Sequence, residues 1–329
     1  MSKTYKLAIV GATGLVGRTV LKVLEEKNFP NFEYTLFCSK KSAGSTLHFL
    51  GKDYLTQELT DKSFDAGFDF AIFSARGETS KHFAPIAASK GCVVIDNSSA
   101  FRMDNSVPLV VPEVNPEKIF DNNGIIANPN CSTIQAVVAL KPLDDKYNIK
   151  RIVYSTYQAV SGAGRHGLID LENGAKNIPP QKFPHQIYNN CIPHIDLFLD
   201  DGYTKEEIKM INETRKILDK PDLKITATAV RVPVQNSHSE SINIEFEKPF
   251  EIEDIKNLLS NSQGTSVLDN PQENVYPLAT CATGQDKVLV GRIRRDYSVA
   301  NGLNLWIVAD NIRKGAASNA VQILEKLIL

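Results

Sequence analysis

The sequence predicts an α/β fold in which a doubly wound domain with a parallel sheet precedes an α+β domain with a largely antiparallel sheet. Three observations predict it. Over the first 130 residues, short and continuously apolar stretches alternate with helical patterns. A glycine-rich turn joins the first of these stretches to the first helix. Beyond residue 130, the apolar stretches are longer, and several of them alternate with polar residues. A length of 329 residues suits two domains.

The first domain is predicted from its alternating strands and helices. Its strands fall at residues 7–10, 34–38, 68–73, 92–95 and 125–127. Its helices fall at 16–24 and 78–90, and a third helix at 132–140 follows the last strand. Gly91 stands where the second helix needs a C-terminal cap.

The second domain is predicted to contain five longer strands and three helices. The strands fall at 151–160, 224–234, 241–246, 287–294 and 303–309, and the helices at 167–177, 204–218 and 252–260. The last stretch, 314–329, has the pattern of an amphipathic helix, which we expect to return to the first domain. The predicted division is therefore 1–130 plus 311–329 for the first domain and 131–310 for the second.

Composition excludes several classes of protein. Lys and Arg number 37 and Asp and Glu 38, so no overall positive field is available for nucleic acid or an anionic membrane. No apolar run approaches the length of a spanning helix, and the stretch 7–10 is too short for a signal-peptide core. Five cysteines without a CxxC pair indicate neither a disulfide framework nor a metal site. We expect a cytoplasmic protein with no nucleic-acid or membrane partner.

The glycine-rich turn, residues 11–17, indicates a dinucleotide site. Glycines at its first, fourth and seventh positions allow a tight turn and a close approach of backbone to phosphate, and the following helix offers free N–H groups. An ordinary turn is the alternative. The second strand ends in residues 38–42, Cys-Ser-Lys-Lys-Ser, without the acidic residue typical of NAD sites. This favours NADP(H), with a solvated basic loop as the alternative.

Cys131 is the candidate nucleophile. It follows a predicted strand and opens a predicted helix, where a thiol becomes a better nucleophile. Its neighbours Asn128, Asn130, Ser132 and Thr133 are polar, which weakens the alternative of a buried core cysteine. That alternative is our expectation for Cys38, Cys92 and Cys281.

A thiol beside a nicotinamide site suggests that an acyl group is held as a thioester and exchanged with hydride, which requires an acid/base partner. His238 lies between two predicted strands. Spacing alone leaves the choice open among five histidines, namely His82, His166, His185, His194 and His238.

Seven motifs in order carry a resemblance to a known family. They are GATGLVG at 11–17, NSSAFRM at 97–103, PEVN at 112–115, NPNCST at 128–133, YQAVSGAG at 157–164, RVPVQNSHSE at 231–240 and DNIRKGAA at 310–317. The chain resembles the aspartate-β-semialdehyde dehydrogenases almost from end to end.

The resemblance implies an NADP-dependent enzyme with a Rossmann-type first domain. Its reaction would be the reductive dephosphorylation of L-aspartyl 4-phosphate to L-aspartate 4-semialdehyde and phosphate, a step towards lysine (through diaminopimelate), threonine and methionine. The family assembles as homodimers or dimers of dimers, with the second domain at the interface.

The resemblance also implies catalytic roles. Cys131 would attack the acyl phosphate and carry the thioester, and hydride from the nicotinamide would release the aldehyde. His238 would be the general acid/base that takes the thiol proton and later returns one. Gln158 would position the substrate or the His–Cys pair, and Asn130 would help to orient that pair.

Four charged residues would bind the substrate. Arg231 would pair with its α-carboxylate and Glu206 with its ammonium group, while Arg102 and Lys209 would hold phosphate. Glu206 and Lys209 lie three positions apart on a predicted helix, hence on one face. Without the resemblance, a solvated charged face would be the better interpretation of this helix.

Cofactor contacts follow from the same resemblance. Thr13, Gly14, Leu15 and Val16 would lie at the pyrophosphate, Lys41 and Ser42 at the 2′-phosphate, Ser161 and Gly162 at the nicotinamide, and Asn311 at its carboxamide. Two positions depart from the family pattern. Arg76 stands where a glycine is usual after the third strand, and Ser237 stands where glycine or alanine is common.

Three alternatives remain to be weighed. N-acetyl-γ-glutamyl-phosphate reductase shares the fold and the thioester mechanism. It needs no acidic residue to bind a free ammonium group, so Glu206 argues against it. A catalytically silent paralogue would have lost Cys131 or His238, and both are present. A glyceraldehyde-type phosphorylating dehydrogenase would have Ser-Cys-Thr-Thr around the thiol, whereas this chain has Asn-Cys-Ser-Thr.

Overall fold

The computed structural model describes residues 3–329, which divide into two compact units. The first unit comprises residues 3–130 together with Ala316–Leu329, and the second comprises Cys131–Gly315. The chain thus returns to the first unit at residue 316, where the sequence suggested 311. Residues 311–315 stay with the second unit.

The first unit is built on a parallel sheet of six strands in the order β5-β2-β1-β6-β7-β8. The strands of this unit are β1 Tyr5–Val10, β2 Phe32–Cys38, β3 Thr46–Phe49, β4 Lys52–Leu55, β5 Gln57–Glu58, β6 Phe70–Phe73, β7 Val93–Asp96 and β8 Ile125–Ala127. Its helices along this stretch are α1 Leu15–Lys27 and α2 Gly77–Ser89. β3 and β4 form a separate antiparallel hairpin.

Both faces of this sheet are buried, as its apolar strands require. Leu7 and Ile9 of β1 join one apolar cluster, while Ala8 and Val10 join a second cluster. Since side chains alternate along a strand, the two clusters lie on opposite faces. A parallel sheet covered on both sides is the doubly wound arrangement.

The second unit is built on a mixed sheet of six strands in the order β10-β9-β11-β14-β13-β12. Its elements are α3 Cys131–Tyr147, β9 Ile149–Gln158, α4 Arg165–Gly174, α5 Lys205–Ile217, β10 Lys224–Arg231, β11 His238–Phe246, α6 Ile252–Asn261, β12 Thr265–Val267, α7 Ala279–Ala282, β13 Val288–Asp296 and β14 Gly302–Ala309. The three inner pairings are antiparallel and the two outer ones are parallel. The predicted fold class is therefore confirmed.

One face of the mixed sheet is packed and the other is open. Along β11 every second residue is buried, from His238 to Phe246, and the residues between them are half-exposed. Helix α3 packs on the buried side, and most of its residues are buried. The open side carries Tyr157 and Trp306, whose rings pack against each other with centroids 5.5 Å apart.

The chain ends in a helix of the first unit. Residues Arg313–Ser318 form a π-helical turn and α8 follows at Asn319–Ile328, so the predicted 314–329 helix is α-helical only in its later part. Leu324 and Val321 of α8 join the cluster beneath β1. Asn319 is buried and donates from Nδ2 to Asn128 Oδ1 at 2.7 Å.

Several predicted boundaries were wrong. β11 begins at His238, not at 241, so His238 belongs to a strand and not to the connection before it. The preceding strand ends at Arg231, because Pro233 cannot continue a ladder of hydrogen bonds. The hairpin of β3 and β4 was not predicted. Cys281, predicted to be buried, is exposed, whereas Cys38 and Cys92 are buried.

Candidate active site

Cys131 is the first residue of α3 and is half-buried. The start of a helix stabilises negative charge through its free N–H groups and its dipole, which favours a reactive thiolate. Gly315 lies against it, since a Cβ at Gly315 would be 2.8 Å from the Cβ of Cys131. The backbone at 315 can therefore pass the nucleophile only because it carries no side chain.

His238 is fully buried at the start of β11. Its Nδ1 accepts a hydrogen bond from the Ala159 N–H at 3.0 Å, and the Gln135 amide donates to its carbonyl oxygen at 3.3 Å. Its Nε2 has no hydrogen-bond partner among residues 3–329. Burial, and next the charge of Arg231, hold the pKa of His238 well below its usual range. The ring is therefore neutral at physiological pH.

Arg231, the last residue of β10, is only 5% exposed. Its Nη1 donates to the Ala159 carbonyl oxygen at 2.7 Å. Burial lowers the pKa of Arg231, while the nearby Glu206 and Cys131 act in the opposite direction. An arginine ordinarily titrates so far above neutrality that this guanidinium keeps its charge.

Gly162 marks the point where Arg231 and His238 converge. A Cβ at this position would lie 2.9 Å from Arg231 Nη1 and 3.3 Å from His238 Nε2. Any larger residue would displace one of the two side chains, so the turn over Val160–Ala163 requires glycine here.

Glu206 and Lys209 of α5 form a chain of alternating charges with Asp196, which precedes the helix. Glu206 Oε1 accepts from Gln158 Nε2 at 3.3 Å, and Glu206 Oε2 lies 3.3 Å from Lys209 Nζ. Lys209 also lies 2.6 Å from Asp196. Although burial acts to raise it, the hydrogen bond and charge of Lys209 hold the pKa of Asp196 below its usual value. The helix start is fixed by a capping box between Thr204 and Glu207.

Ser161 and Asn311 are hydrogen-bonded to each other within the second unit. Asn311 Nδ2 donates to Ser161 Oγ at 3.0 Å, and Asn311 Oδ1 accepts from the Ser237 N–H at 2.9 Å. Ser237 has φ of 73°, in the left-handed region. A serine in this conformation is strained, because a residue with a Cβ is disfavoured in the left-handed region.

Residues predicted to contact the dinucleotide pyrophosphate lie in the first unit at the start of α1. Gly11 has φ of 81°, and a Cβ there would be 2.5 Å from the Ser74 carbonyl oxygen. The N-cap of α1 is Gly14, which provides no side-chain cap, and the first turn has no acidic residue. Thr13, Gly14, Leu15 and Val16 are exposed or half-exposed. Free backbone N–H groups at a helix start without a side-chain cap can donate hydrogen bonds to a phosphate group.

Lys41 and Ser42 lie in the short helical turn Lys40–Ser42 after β2. Lys41 is exposed and Ser42 half-exposed. Arg76 is the N-cap residue of α2 and its side chain is exposed.

Arg102 and Asn130 also belong to the first unit. Arg102 is 8% exposed, donating from Nε to the Asn128 carbonyl oxygen and from Nη2 to that of Asn97, each at 2.9 Å. Asn130 is 7% exposed. The second unit thus assembles Cys131, Gln158, Arg231 and His238 with Glu206 and Lys209, and the first unit carries the other predicted phosphate ligand.

Sequence reasoning missed the residues that hold this cluster. The backbone of Ala159 binds both His238 and Arg231. Because almost every residue has the same backbone groups, the sequence does not identify this one. Glu240 is fully buried on the inward face of β11, where burial raises its pKa well above the usual range and the neighbouring Ser132 and Gln135 act against that shift. The sequence signal that could have identified Glu240 is a charged residue at an inward-facing position of a strand in which apolar and polar residues alternate.

Two structural features are absent over residues 3–329. Across this range, no group of three or more His, Cys, Asp or Glu side chains is arranged to hold a metal ion. In the same range, no helix combines the length and apolar character that crossing a membrane requires.

Family models match both units. Residues 6–122 match the semialdehyde dehydrogenase NAD-binding domain, and residues 140–314 match the semialdehyde dehydrogenase dimerisation domain. Among solved structures, aspartate semialdehyde dehydrogenase II of Vibrio cholerae in complex with ASA superposes with a TM-score of 0.95 at 48% identity, with 99% of each chain covered. The Candida albicans enzyme with NADP superposes with a TM-score of 0.79 at 27% identity, with 99% of each chain covered.

Curated relatives agree with these matches. The aspartate-semialdehyde dehydrogenase of Aquifex aeolicus is 58% identical, with 98% of each chain covered. That of Bacillus subtilis is 48% identical, covering 99% of this chain and 98% of the relative. The resemblance predicted from the motifs is confirmed: the chain belongs to the aspartate-semialdehyde dehydrogenase family, NAD(P)-binding oxidoreductases of amino-acid biosynthesis.

Proposed function

We propose that this enzyme catalyses the NADPH-dependent reductive dephosphorylation of L-aspartyl 4-phosphate to L-aspartate 4-semialdehyde and phosphate. The observation that carries the proposal is the convergence of a helix-start thiol, a buried arginine and a buried histidine in the second unit. The product is a precursor for lysine (through diaminopimelate), threonine and methionine.

The charges of the second unit suit an amino-acid substrate. Arg231 is a planar donor fixed by the Ala159 carbonyl oxygen, and it has further N–H groups for a carboxylate. Glu206 presents a carboxylate for the ammonium group, and Gln158 lies next to it. We assign Arg231 to the α-carboxylate, Glu206 to the ammonium group and Gln158 to positioning the substrate.

Phosphate needs cationic or N–H donors. Lys209 in the second unit and Arg102 in the first unit are our candidates. Lys209 is held between Glu206 and Asp196, so its ammonium group is oriented before a substrate binds.

Covalent chemistry is assigned to Cys131. Its sulfur attacks the acyl carbon, a C–S bond forms, and the bond from that carbon to the phosphate oxygen breaks. Phosphate leaves, and the acyl group is held as a thioester. His238 is the proton-transfer group, because its Nε2 points to the Gly162 turn and is not used by another protein group among the described residues. Asn130 is proposed to help orient the pair.

NADP(H) is the proposed cofactor. When bound, it supplies the hydride that reduces the thioester to the aldehyde. The uncapped start of α1 with Thr13, Gly14, Leu15 and Val16 would bind the pyrophosphate. Lys41 and Ser42 would bind the 2′-phosphate, since the turn after β2 offers a cation and a hydroxyl but no acid. Ser161, Gly162 and Asn311 are assigned to the nicotinamide end.

We further propose a homodimer, or a dimer of dimers, formed through the open face of the mixed sheet. That face carries the Tyr157–Trp306 pair and a groove of about 340 Å³ lined by Ser241, Arg294 and Trp306 among others. Aromatic and arginine side chains of this kind are enriched at protein interfaces. The first unit would serve cofactor binding, and the second catalysis and dimerisation.

The cytosol is the proposed compartment. All five cysteines are free thiols, two of them, Cys191 and Cys281, at the surface. Exposed thiols persist in a reducing environment.

Steady-state assays test the proposed reaction. Purified protein is mixed with aspartate semialdehyde, phosphate and NADP⁺, and NADPH is followed at 340 nm. Parallel samples contain NAD⁺ or N-acetylglutamate semialdehyde. We expect NADPH formation that requires phosphate and occurs with aspartate semialdehyde only. Equal rates with the N-acetylated aldehyde, or rates independent of phosphate, would contradict the proposal.

A further inference from the structure

The parallel sheet of the first unit reverses its strand order between β1 and β6. From β1 the chain passes to β2 on one side, and it later returns to β6 on the other side of β1. In open parallel sheets, ligands bind in the crevice outside the carboxyl ends of the strands at such a reversal. The turn after β1 and the turn after β6 therefore bound the crevice of this unit.

The two turns are in direct contact. Ser74, which follows β6, donates from its N–H to the Val10 carbonyl oxygen at 2.8 Å. A Cβ at Gly11 would lie 2.5 Å from the Ser74 carbonyl oxygen, so backbone occupies the space between the turns. Gly14, the N-cap of α1, donates to the Gly11 carbonyl oxygen at 3.0 Å. The start of α1 and the turn after β6 are thus joined through Gly11.

Arg76 is the charged residue of the turn after β6. It is the N-cap residue of α2, with extended backbone and an exposed side chain. Among residues 3–329, its guanidinium takes part in no hydrogen bond or ion pair. Glu78 is the acidic residue in the first turn of α2, and its carboxylate lies 3.5 Å from Lys81 Nζ. The cation of Arg76 is therefore available to an anionic ligand.

We propose that Arg76 binds the pyrophosphate of the dinucleotide, as a cation added to the backbone donors at the start of α1. This inference rests on the cofactor site proposed above. Residues 11–17 contain no charged side chain, and Arg18, next along α1, donates from Nε to the Thr13 carbonyl oxygen. The planar guanidinium of Arg76 adds the charge that this turn lacks, in a form suited to phosphate oxygens.

Lys41 and Arg76 lie on opposite sides of β1, because Lys41 follows β2 and Arg76 follows β6. The 2′-phosphate assigned to Lys41 is present in NADP(H) only, whereas NADP(H) and NAD(H) share the pyrophosphate. Loss of Arg76 should therefore weaken both cofactors, and loss of Lys41 should weaken one of them.

Direct binding measures the contribution of Arg76 without turnover. Full-length wild type and Arg76→Gly are titrated with NADPH and with NADH, and nicotinamide fluorescence gives the dissociation constants. Glycine accepts this backbone conformation and is tolerated at an N-cap, so the substitution removes the charge without new strain. At low ionic strength we expect both dissociation constants to rise about fivefold, as for an exposed ionic contact.

Two further variants separate charge from structure. Arg76→Lys keeps the charge, and its dissociation constants should stay within twofold of wild type. Lys90→Ala removes a cation at the opposite end of α2, where Lys90 pairs with Asp65 at 2.8 Å, and should change neither affinity. Added salt should reduce the difference between wild type and Arg76→Gly, because it screens exposed charges.

Cofactor fragments identify the phosphate group that Arg76 binds. ADP-ribose carries the pyrophosphate without the nicotinamide, and 2′-AMP carries the 2′-phosphate without the pyrophosphate. In calorimetric titrations, ADP-ribose should bind Arg76→Gly about fivefold more weakly than wild type, again as for an exposed ionic contact. The affinity for 2′-AMP should be the same in both proteins.

Unchanged affinities for NADPH and NADH in Arg76→Gly would overturn the inference. A loss confined to NADPH and 2′-AMP would also overturn it, because the arginine would then bind the 2′-phosphate. Both results would leave the proposed reaction standing. A wild-type enzyme that bound neither cofactor would refute the proposed function together with this inference.

Discussion

The two large sheets of this molecule have six strands each but differ in how they are covered. In the parallel sheet, residues 7–10 of β1 are all buried, and apolar clusters occupy both faces. In the mixed sheet, β11 alternates buried and half-exposed residues, so one face stays open. The first sheet is covered on both faces within its own unit, whereas the second leaves one face open, and we propose that a partner chain binds there.

The difference extends to how each unit presents its functional groups. The first unit offers backbone amides at the start of α1, where Gly11 and Gly14 fix the turn. The second unit offers buried side chains, Arg231 and His238, held by hydrogen bonds to the backbone of Ala159. Substitutions near the start of α1 leave its backbone N–H groups in place. Substitutions near Arg231 or His238 change the surroundings of the side chains themselves.

Replacement of Cys131 should give the largest difference between the proposed functions of the two units, catalysis in the second and cofactor binding in the first. Cys131→Ala should lower kcat by about a thousandfold or more, because the covalent step has no substitute nucleophile. NADPH affinity should stay within twofold, since its proposed phosphate ligands lie in the first unit. Initial rates and NADPH fluorescence titration measure both quantities, with the exposed Cys281→Ala as control. Turnover within tenfold of wild type would refute the covalent role.

A charge on the open face should break the proposed dimer. Ser241 lies on that face of β11, and Ser241→Arg should raise the dimer dissociation constant by roughly 100-fold, since an unpaired charge would be buried at the interface. Ser260→Arg, at an exposed position of α6 in the same unit, is the matched control. Analytical ultracentrifugation gives both constants. An unchanged dimer in Ser241→Arg would exclude this face.

Arg231 tests the geometry of the buried cluster. Arg231→Lys should cost about 2 kcal/mol in kcat/KM for aspartate semialdehyde, roughly 30-fold, because a lysine cannot form the bidentate pair and also reach the Ala159 carbonyl. Arg215→Lys, on α5, is the control. If kcat/KM remains unchanged in Arg231→Lys, the residue does not bind substrate.

Lys41 tests whether the first unit selects the cofactor by charge. Lys41→Ala should weaken NADP(H) about fivefold, as expected for a partly exposed ionic contact, and leave NAD(H) unchanged. Lys52→Ala on the β3–β4 hairpin should change neither affinity. Equal losses for both cofactors in Lys41→Ala would show that the turn does not bind the 2′-phosphate.

Glu240 gives the smallest effect, and it concerns stability. Since its folded pKa is raised above the unfolded value, the folded state holds a proton that the unfolded state loses as pH rises. Its contribution is fully present below the unfolded pKa and is lost as pH rises towards the folded pKa. Stability relative to Glu240→Gln should therefore fall between pH 5 and pH 8.

Urea midpoints at the two pH values measure this change. Glu245→Gln, at the other end of β11 and paired with Lys150, is the control and should not reproduce the fall. Parallel pH profiles for wild type and Glu240→Gln would show that Glu240 is ionised in the folded protein.

Much of the fold could be predicted because its determinants are local. The continuous apolar run of β1 and the glycines after it specify a buried parallel strand and a tight turn. The hairpin of β3 and β4 escaped prediction because its residues are mostly exposed and carry little periodicity. The start of β11 escaped for a related reason, since a buried histidine and a buried glutamate interrupt its apolar pattern.

The candidate site was predictable only in its residue types. Motif order singled out Cys131, Arg231 and His238, but spacing could not choose this histidine among five. The N–H of Ala159, a group common to every residue except proline, orients its ring by a hydrogen bond to Nδ1. Similarly, the need for glycine at 162 and 315 comes from side chains that are distant in sequence. Such constraints appear only once the chain is folded.

A burst experiment tests whether Cys131 carries the acyl group. Enzyme is mixed with aspartate semialdehyde and NADP⁺ without phosphate, and NADPH is followed at 340 nm by stopped flow. We expect a burst of about one NADPH per active chain, a mass increase on the Cys131 peptide matching the aspartyl group, and steady turnover only after phosphate is added. Phosphate-supported turnover with neither a burst nor an adduct on Cys131 would contradict it.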